Sequence, residues 1–212
     1  MRGKKQPTKS TIFLGILFWM LGSIFDVVSA QEALRGIRLS YQLPVSEEFD
    51  DSEDETYIIE DWSEERSGYG GGVVFKNGFG VGWTTMDREI KLTTTFKQYF
   101  NLVSSTTETV EATFLDLSYS LESFPLTIGY GWLLDAASEV IYHNPQCSIF
   151  NRETTSAEGS SFFVDLGIPI GDRWNILVGY RRINTTFTFA GTTGTWDRDW
   201  NVLYTGVFWE FM

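Results

Sequence analysis

Eight stretches of this chain place large apolar residues at every second position, and that period excludes helix for all of them. They cover 36–44, 68–75, 79–85, 112–121, 125–134, 160–170, 173–183 and 201–211. In the fifth, Leu126, Ile128, Tyr130, Trp132 and Leu134 are separated by Thr127, Gly129, Gly131 and Leu133. In the seventh, Trp174, Ile176, Val178 and Tyr180 are separated by Asn175, Leu177 and Gly179. Successive side chains of a strand point to opposite faces, so each run carries one bulky apolar face. The other face collects small and polar residues. It holds Gly70, Gly72, Gly80, Gly82, Gly129, Gly131, Gly167, Gly179 and Gly206, with Ser40, Gln42, Thr84, Asp116, Ser118, Thr127, Asp165 and Asn175. A soluble barrel would turn its bulky apolar face inward. Small and polar inside with bulky apolar outside is the pattern of a narrow barrel in lipid. Val74, Phe114, Leu133, Phe163, Leu177, Tyr204 and Phe208 fall on the inner face and are expected to fill the lumen.

The connections alternate strictly between short and long. Asn77-Gly78, Glu122-Ser123-Phe124 and Gly171-Asp172 are the short ones; 45–66, 86–111, 135–159 and 184–200 are the long ones. Asn-Gly suits a two-residue type I′ hairpin, where both positions take positive φ. Outer-membrane barrels have short periplasmic turns and longer extracellular loops, so an even strand count places both termini in the periplasm. Residues 89–96 are themselves strand-forming, which leaves the strand ends open there. Phe75, Phe79, Phe124, Trp174, Trp209 and Phe211 mark one expected interface, and Tyr69, Trp83, Trp132 and Phe162 the other. Amphipathic rings favour such boundaries.

The N-terminus reads as an export signal over 1–30. Arg2, Lys4, Lys5 and Lys9 precede a mostly apolar run over 11–25, and Val28 and Ala30 stand where a signal peptidase reads. That run is short of the roughly 20 residues a spanning helix needs. The expected mature domain is 31–212. Removing four basic residues and one acid from 16 and 28 leaves 12 and 27, a net charge of −15. Such a balance argues against nucleic acid as partner. Cys147 is the single cysteine, so the domain is held without an internal disulfide.

Over 36–212 the chain resembles the small eight-stranded outer-membrane proteins, of the kind formed by the transmembrane domain of outer membrane protein A and by outer membrane protein X. The resemblance rests on the architecture and on the ending Leu203, Val207, Trp209, Phe211, followed here by Met212. It implies an all-β, eight-stranded antiparallel up-and-down transmembrane barrel in the cell outer membrane. Its partners would be outer-membrane lipid, lipopolysaccharide, the barrel assembly machinery and an unspecified extracellular ligand.

Three groups are candidate sites. Arg38, Asp116, Asp165, Arg173, Arg181 and Glu210 lie on the expected inner face and would form a polar plug, with Arg38 and Glu210 able to pair across the first and last strands. An eight-stranded barrel is just wide enough to be filled by its own side chains, so a plug is expected rather than a pore. The acidic connection 45–66 includes Asp50, Asp51, Glu53, Asp54 and Glu55, oxygen ligands of the type that hold Ca²⁺ or Mg²⁺. It lacks the spacing and glycine of an EF-hand loop, and reads first as a hydrated loop. His143 is the single histidine, near Ser148 and Glu139. A general base needs a nucleophile within reach, and no recognisable spacing supplies one. No cofactor is expected. The leading expectation is a structural or surface-interaction barrel without enzymatic activity. The rivals are a lipid A acylase or deacylase, a narrow channel, and a soluble lipocalin-like binding barrel.

Overall fold

The computed structural model describes residues 34–49, 52–53, 57–96, 102–121, 125–144, 151–191 and 194–211. The expected signal segment, 1–30, lies outside them. Among the described residues there are eight long strands: β1 Leu34–Phe49, β2 Tyr57–Phe75, β3 Phe79–Phe96, β4 Leu102–Ser120, β5 Leu126–Tyr142, β6 Arg152–Pro169, β7 Trp174–Phe189 and β8 Thr195–Glu210. A two-residue piece, Ser52–Glu53, continues β1 against β2. Each strand pairs antiparallel with the next. β1 also pairs with β8, from Gly36 opposite Glu210 to Gln42 opposite Tyr204. The sheet therefore closes into an up-and-down barrel through its lower half; above Gln42 and Tyr204, β1 and β8 share no rung.

The strands are 16–19 residues long, whereas roughly 9–11 suffice to cross a membrane. The long connections of the sequence are therefore mostly strand. The cause is visible in β3, β4 and β7. Thr93, Thr94, Thr95, Thr106, Thr107, Thr185, Thr186 and Thr188 are β-branched and favour extended backbone without being apolar.

Hydropathy phase inverts partway up the barrel. On β7 the outward residues run Trp174, Ile176, Val178, Tyr180 and then Arg182, Asn184, Thr186. The inward residues run Leu177, Gly179, Arg181 and then Ile183, Phe187, Phe189. β8 repeats the change. Trp209, Val207 and Leu203 give way outside to Asn201, Asp199 and Asp197, while Val202 and Trp200 are buried inside. Below the change the apolar side chains face outward: Leu39 is 55 % exposed, Ile168 51 % and Leu203 58 %. Above it the barrel is built like a water-soluble one. Among the described residues twelve buried apolar ones form one cluster that fills it, reaching from Phe163 and Tyr204 below the change up through Met86, Ile183 and Trp200 to Phe187 and Phe189.

The short connections lie together at the opposite end, called here the turn end. Between β2 and β3 the connection is Lys76-Asn77-Gly78, three residues rather than the expected two. Gly78 has φ 87° and donates its N–H to the Phe75 carbonyl at 2.9 Å. A Cβ there would meet the Ser120 carbonyl at 2.6 Å, so glycine is required twice over. The expected outer aromatics pair at the surface as Tyr69 with Trp83 and Trp174 with Trp209, ring centroids 5.5 and 5.8 Å apart.

Candidate functional site

The lumen holds most of the buried charge, arranged in tiers. At the turn end, Arg35 Nε donates to Glu210 Oε1 at 2.8 Å beside a cavity of about 100 Å³. One tier higher, the Arg38 guanidinium pairs with Asp165, donates to Tyr204 Oη at 2.9 Å and lies 5.0 Å from the Phe163 ring centre. Tyr204 Oη donates in turn to Asp165 Oδ2 at 2.9 Å. Glu210 therefore does not take Arg38. The register sets Glu210 opposite Gly36 and Arg38 opposite Phe208, one inward row apart, and Arg35 is the cation beside Glu210. Arg173 is a second correction. It is exposed in the turn before β7, outside the lumen, because the strand begins one residue later at Trp174.

Arg181 occupies the third tier and is 3 % exposed. It donates to Asp116 Oδ1 at 2.9 Å and Oδ2 at 2.6 Å, to Ser161 Oγ at 2.9 Å and to Thr84 Oγ1 at 3.1 Å. Thr84 donates to Asp116 Oδ2 at 2.6 Å, and the guanidinium stacks 4.5 Å from the Phe163 ring centre. Both tiers cross the barrel: Arg38 on β1 reaches β6, and Arg181 on β7 reaches β4. Glycine makes room for the rings that hold them. A Cβ at Gly129 would strike Phe163, and one at Gly179 would strike Tyr204. A cavity of about 30 Å³ separates the tiers, and one of about 10 Å³ lies beside Gln42. These are water-sized volumes. The apolar cluster begins among them, at Phe114, Phe163 and Tyr204, and continues above.

The upper half carries two further ionic groups that alternation in the lower half did not bring to notice. Glu64, 1 % exposed, accepts from Arg66 at 2.6 and 2.8 Å and pairs with Arg88. Burial alone would raise its pKa, but the two guanidiniums outweigh that and hold it below the usual value. Arg66 and Arg88 face each other across β2 and β3, so Glu64 bridges a like-charged rung. Arg198 on β8 reaches Glu108 on β4 with two bonds, at 2.7 and 3.0 Å. The signal for Glu64, Arg66 and Arg88 was parity. They continue the inward series of Gly68 and Gly70 on β2 and of Gly80 to Met86 on β3.

Among the described residues the other candidates are not brought together. His143 is exposed, with Nε2 2.8 Å from Thr107 Oγ1. Glu139 is exposed on β5, while Cys147 and Ser148 lie outside the described residues. Asp50, Asp51, Asp54 and Glu55 also lie outside them, and Glu53 is described only as strand backbone. Among the described residues no three His, Cys, Asp or Glu side chains gather as a metal site.

No family model matches this chain, and no curated protein matches it. Solved structures do. Outer membrane protein OprG from Pseudomonas aeruginosa is 8 % identical, covers 84 % of this chain and 94 % of its own, and superposes with a TM-score of 0.38. Outer membrane protein AlkL, solved in lipid bilayers, is 13 % identical over 84 % and 89 %, TM-score 0.34. Outer membrane protease OmpT from Escherichia coli is 10 % identical over 84 % and 94 %, TM-score 0.34. At such low identity and superposition, none of these says what this chain does. What its own residues establish is an eight-stranded antiparallel barrel with an apolar outer belt and an ionically braced lumen.

Proposed function

We propose that this chain is an outer-membrane β-barrel with a structural or surface-display role, its turn end and both termini in the periplasm. The observation that carries the reading is the belt of exposed apolar side chains around the lower half of a barrel whose lumen is filled. Water would not tolerate that belt; lipid requires it. The charged outward rows above it, such as Asp197, Asp199 and Arg182, would stand among lipopolysaccharide headgroups. The upper half would lift the connecting segments clear of the lipid by about 15–20 Å, given roughly 3.3 Å per residue and a tilt near 40°. Assembly would pass through the barrel assembly machinery, with the C-terminal strand ending in Trp209 and Phe211. The filled lumen favours this role over transport, and among the described residues the side chain at His143 Nε2 is the Thr107 hydroxyl rather than a carboxylate, which favours it over lipid A chemistry.

Cell fractionation with heat-modifiable gel mobility tests the location. The chain is expected in the outer membrane, with different mobility before and after boiling, and to be cut by external protease only in the connections at the end opposite the turn end. Soluble protein without detergent would refute the reading. Planar-bilayer recordings are expected to show no steady conductance.

A further inference from the structure

The barrel wall is not continuous between β5 and β6. Seven rungs run from Leu126 opposite Leu166 to Trp132 opposite Ser160. Two more, Glu139 opposite Glu153 and Val140 opposite Arg152, lie higher. Between them 133–138 and 154–159 form no rung. Residue numbers of partners add to the same total below and above the gap, so neither strand has slipped. The outer neighbours explain the break. β5 has a bulge against β4 at Leu134, where Phe114 faces Leu133 and Thr113 faces Asp135. β6 has one against β7 at Thr155, where Phe189 faces Thr154 and Thr188 faces Ser156. Each bulge swaps the inward and outward faces of its strand. Because they sit at different heights, the stretches between them are out of step: Ala136 points inward where Ser156 opposite it points outward. Two strands whose pleats disagree cannot zip.

The gap starts directly above exposed Trp132, and small residues border it: Ala136, Ala137, Ser138, Ser156, Ala157 and Gly159. Gly159 occupies an inward position yet is exposed. Leu133, Ala136 and Ala157, which flank the gap, pack on the apolar cluster. At its upper end the Thr154 hydroxyl replaces the missing backbone, accepting from Ser138 N at 2.9 Å and donating to Ser138 O at 2.8 Å. The rung above sets Glu139 against Glu153, both outward and exposed, and like charges directly opposed weaken a ladder. Among the described residues neither carboxylate has a cation beside it in the neighbouring rows. Thr109 faces Glu139 from β4, with Glu111 one outward row lower; Thr188 and Phe189 are the nearest β7 residues to Glu153. The guanidinium of Arg152 lies instead against the Trp196 ring, 5.1 Å away.

We infer that this seam is a built-in window in the wall of the upper half, kept unzipped by two bulges out of step and clasped above by a self-repelling rung, so that the wall opens and closes here. Closing needs one bulge to move to the height of the other. Loss of repulsion at Glu139 and Glu153 favours closing, whether by charge reversal or by screening.

Hydrogen exchange read by mass spectrometry on the full chain refolded in micelles tests this. In the native chain, those amides of 133–137 and 155–159 that point into the seam, rather than at β4 or β7, are expected to exchange on the order of 100-fold faster than those of 126–132 and 160–166. Glu153→Lys, which sets opposite charges on the clasp, should slow the seam amides on the order of 5-fold and leave 126–132 unchanged. Deleting Leu134 together with Thr155 puts the pleats back in step and should bring the seam amides to the rate of the flanking ladder. Native seam amides as protected as the ladder below them would overturn the inference. So would no slowing in Glu153→Lys, or a folded double deletion whose seam still exchanges fast.

Discussion

Replacing Arg181 by Met is the sharpest test of the lumen. The substitution keeps most of the side-chain volume against Phe163 and Phe114 but removes four donated hydrogen bonds, two of them to the Asp116 carboxylate. Asp116 is 7 % exposed and would keep only the Thr84 hydroxyl at 2.6 Å. Breaking a buried ion pair from one side typically costs about 3–5 kcal/mol, because the remaining charge is stranded. The expected loss at pH 7 is therefore about 3–5 kcal/mol. Replacing both partners, Arg181→Met with Asp116→Leu, strands nothing and should lie within about 1–2 kcal/mol of the native chain. Urea unfolding in micelles, followed by tryptophan fluorescence, reads all three proteins. If the single substitution costs less than about 1 kcal/mol, or if the two losses simply add, the Arg181–Asp116 pair is not what braces the barrel.

Three further outcomes are expected. Glu64 has a lowered pKa, so its contribution is present above the unfolded value of 4.5 and is lost as the pH falls through the folded one; Glu64→Gln should lower stability at pH 7 and flatten the acid limb below the unfolded value. Asp87, on the outer wall directly opposite Glu111, is raised by partial burial and by that neighbour, so Asp87→Asn should stabilise the barrel by about 0.2–1 kcal/mol at pH 7, a gain that fades as acid neutralises the native carboxyl. Val178→Arg and Asn184→Arg lie on the same outward face of β7, on either side of the inversion: the first should cost about 2–4 kcal/mol in a lipid bilayer and the second stay within about 0.5.

The lower half of the fold was legible because there the two faces of each strand differ in size as well as polarity. Tyr130, Trp132, Ile176 and Val178 against Gly129, Gly131, Asn175 and Gly179 leave no choice of face. The upper half was not, because its strands are marked by Thr and Ser rather than by apolar alternation, and because the apolar residues that are there occupy the opposite parity. Ile183, Phe187 and Phe189 continue the inward series of β7, but a search for continued outward bulk stops at Tyr180. Two bulges, at Leu134 and Thr155, break parity altogether. Of the lumen, Arg38, Asp116, Asp165 and Arg181 could be placed inside by parity alone. Their partners could not. Pairing depends on which strands face each other across the barrel, and β1 facing β6, or β4 facing β7, is a property of the closed ring.

The inversion also explains why the charged tiers lie where they do. In water, burying apolar side chains distinguishes inside from outside by its own free energy, and the upper half uses that distinction. In lipid it vanishes, since the acyl chains outside are as apolar as any leucine within, and packing must rely on polar contacts instead. A barrel half embedded in lipid therefore needs inward groups that cannot be turned out. Arg38 with Asp165 and Tyr204, and Arg181 with Asp116, Thr84 and Ser161, are such groups: exposing either set to acyl chains would cost several kcal/mol for each charge. They fix which face of β1, β4, β6 and β7 is the inner one. The height at which Arg181 gives way to Ile183 inside, and Tyr180 to Arg182 outside, is thus one boundary written twice on the same strand.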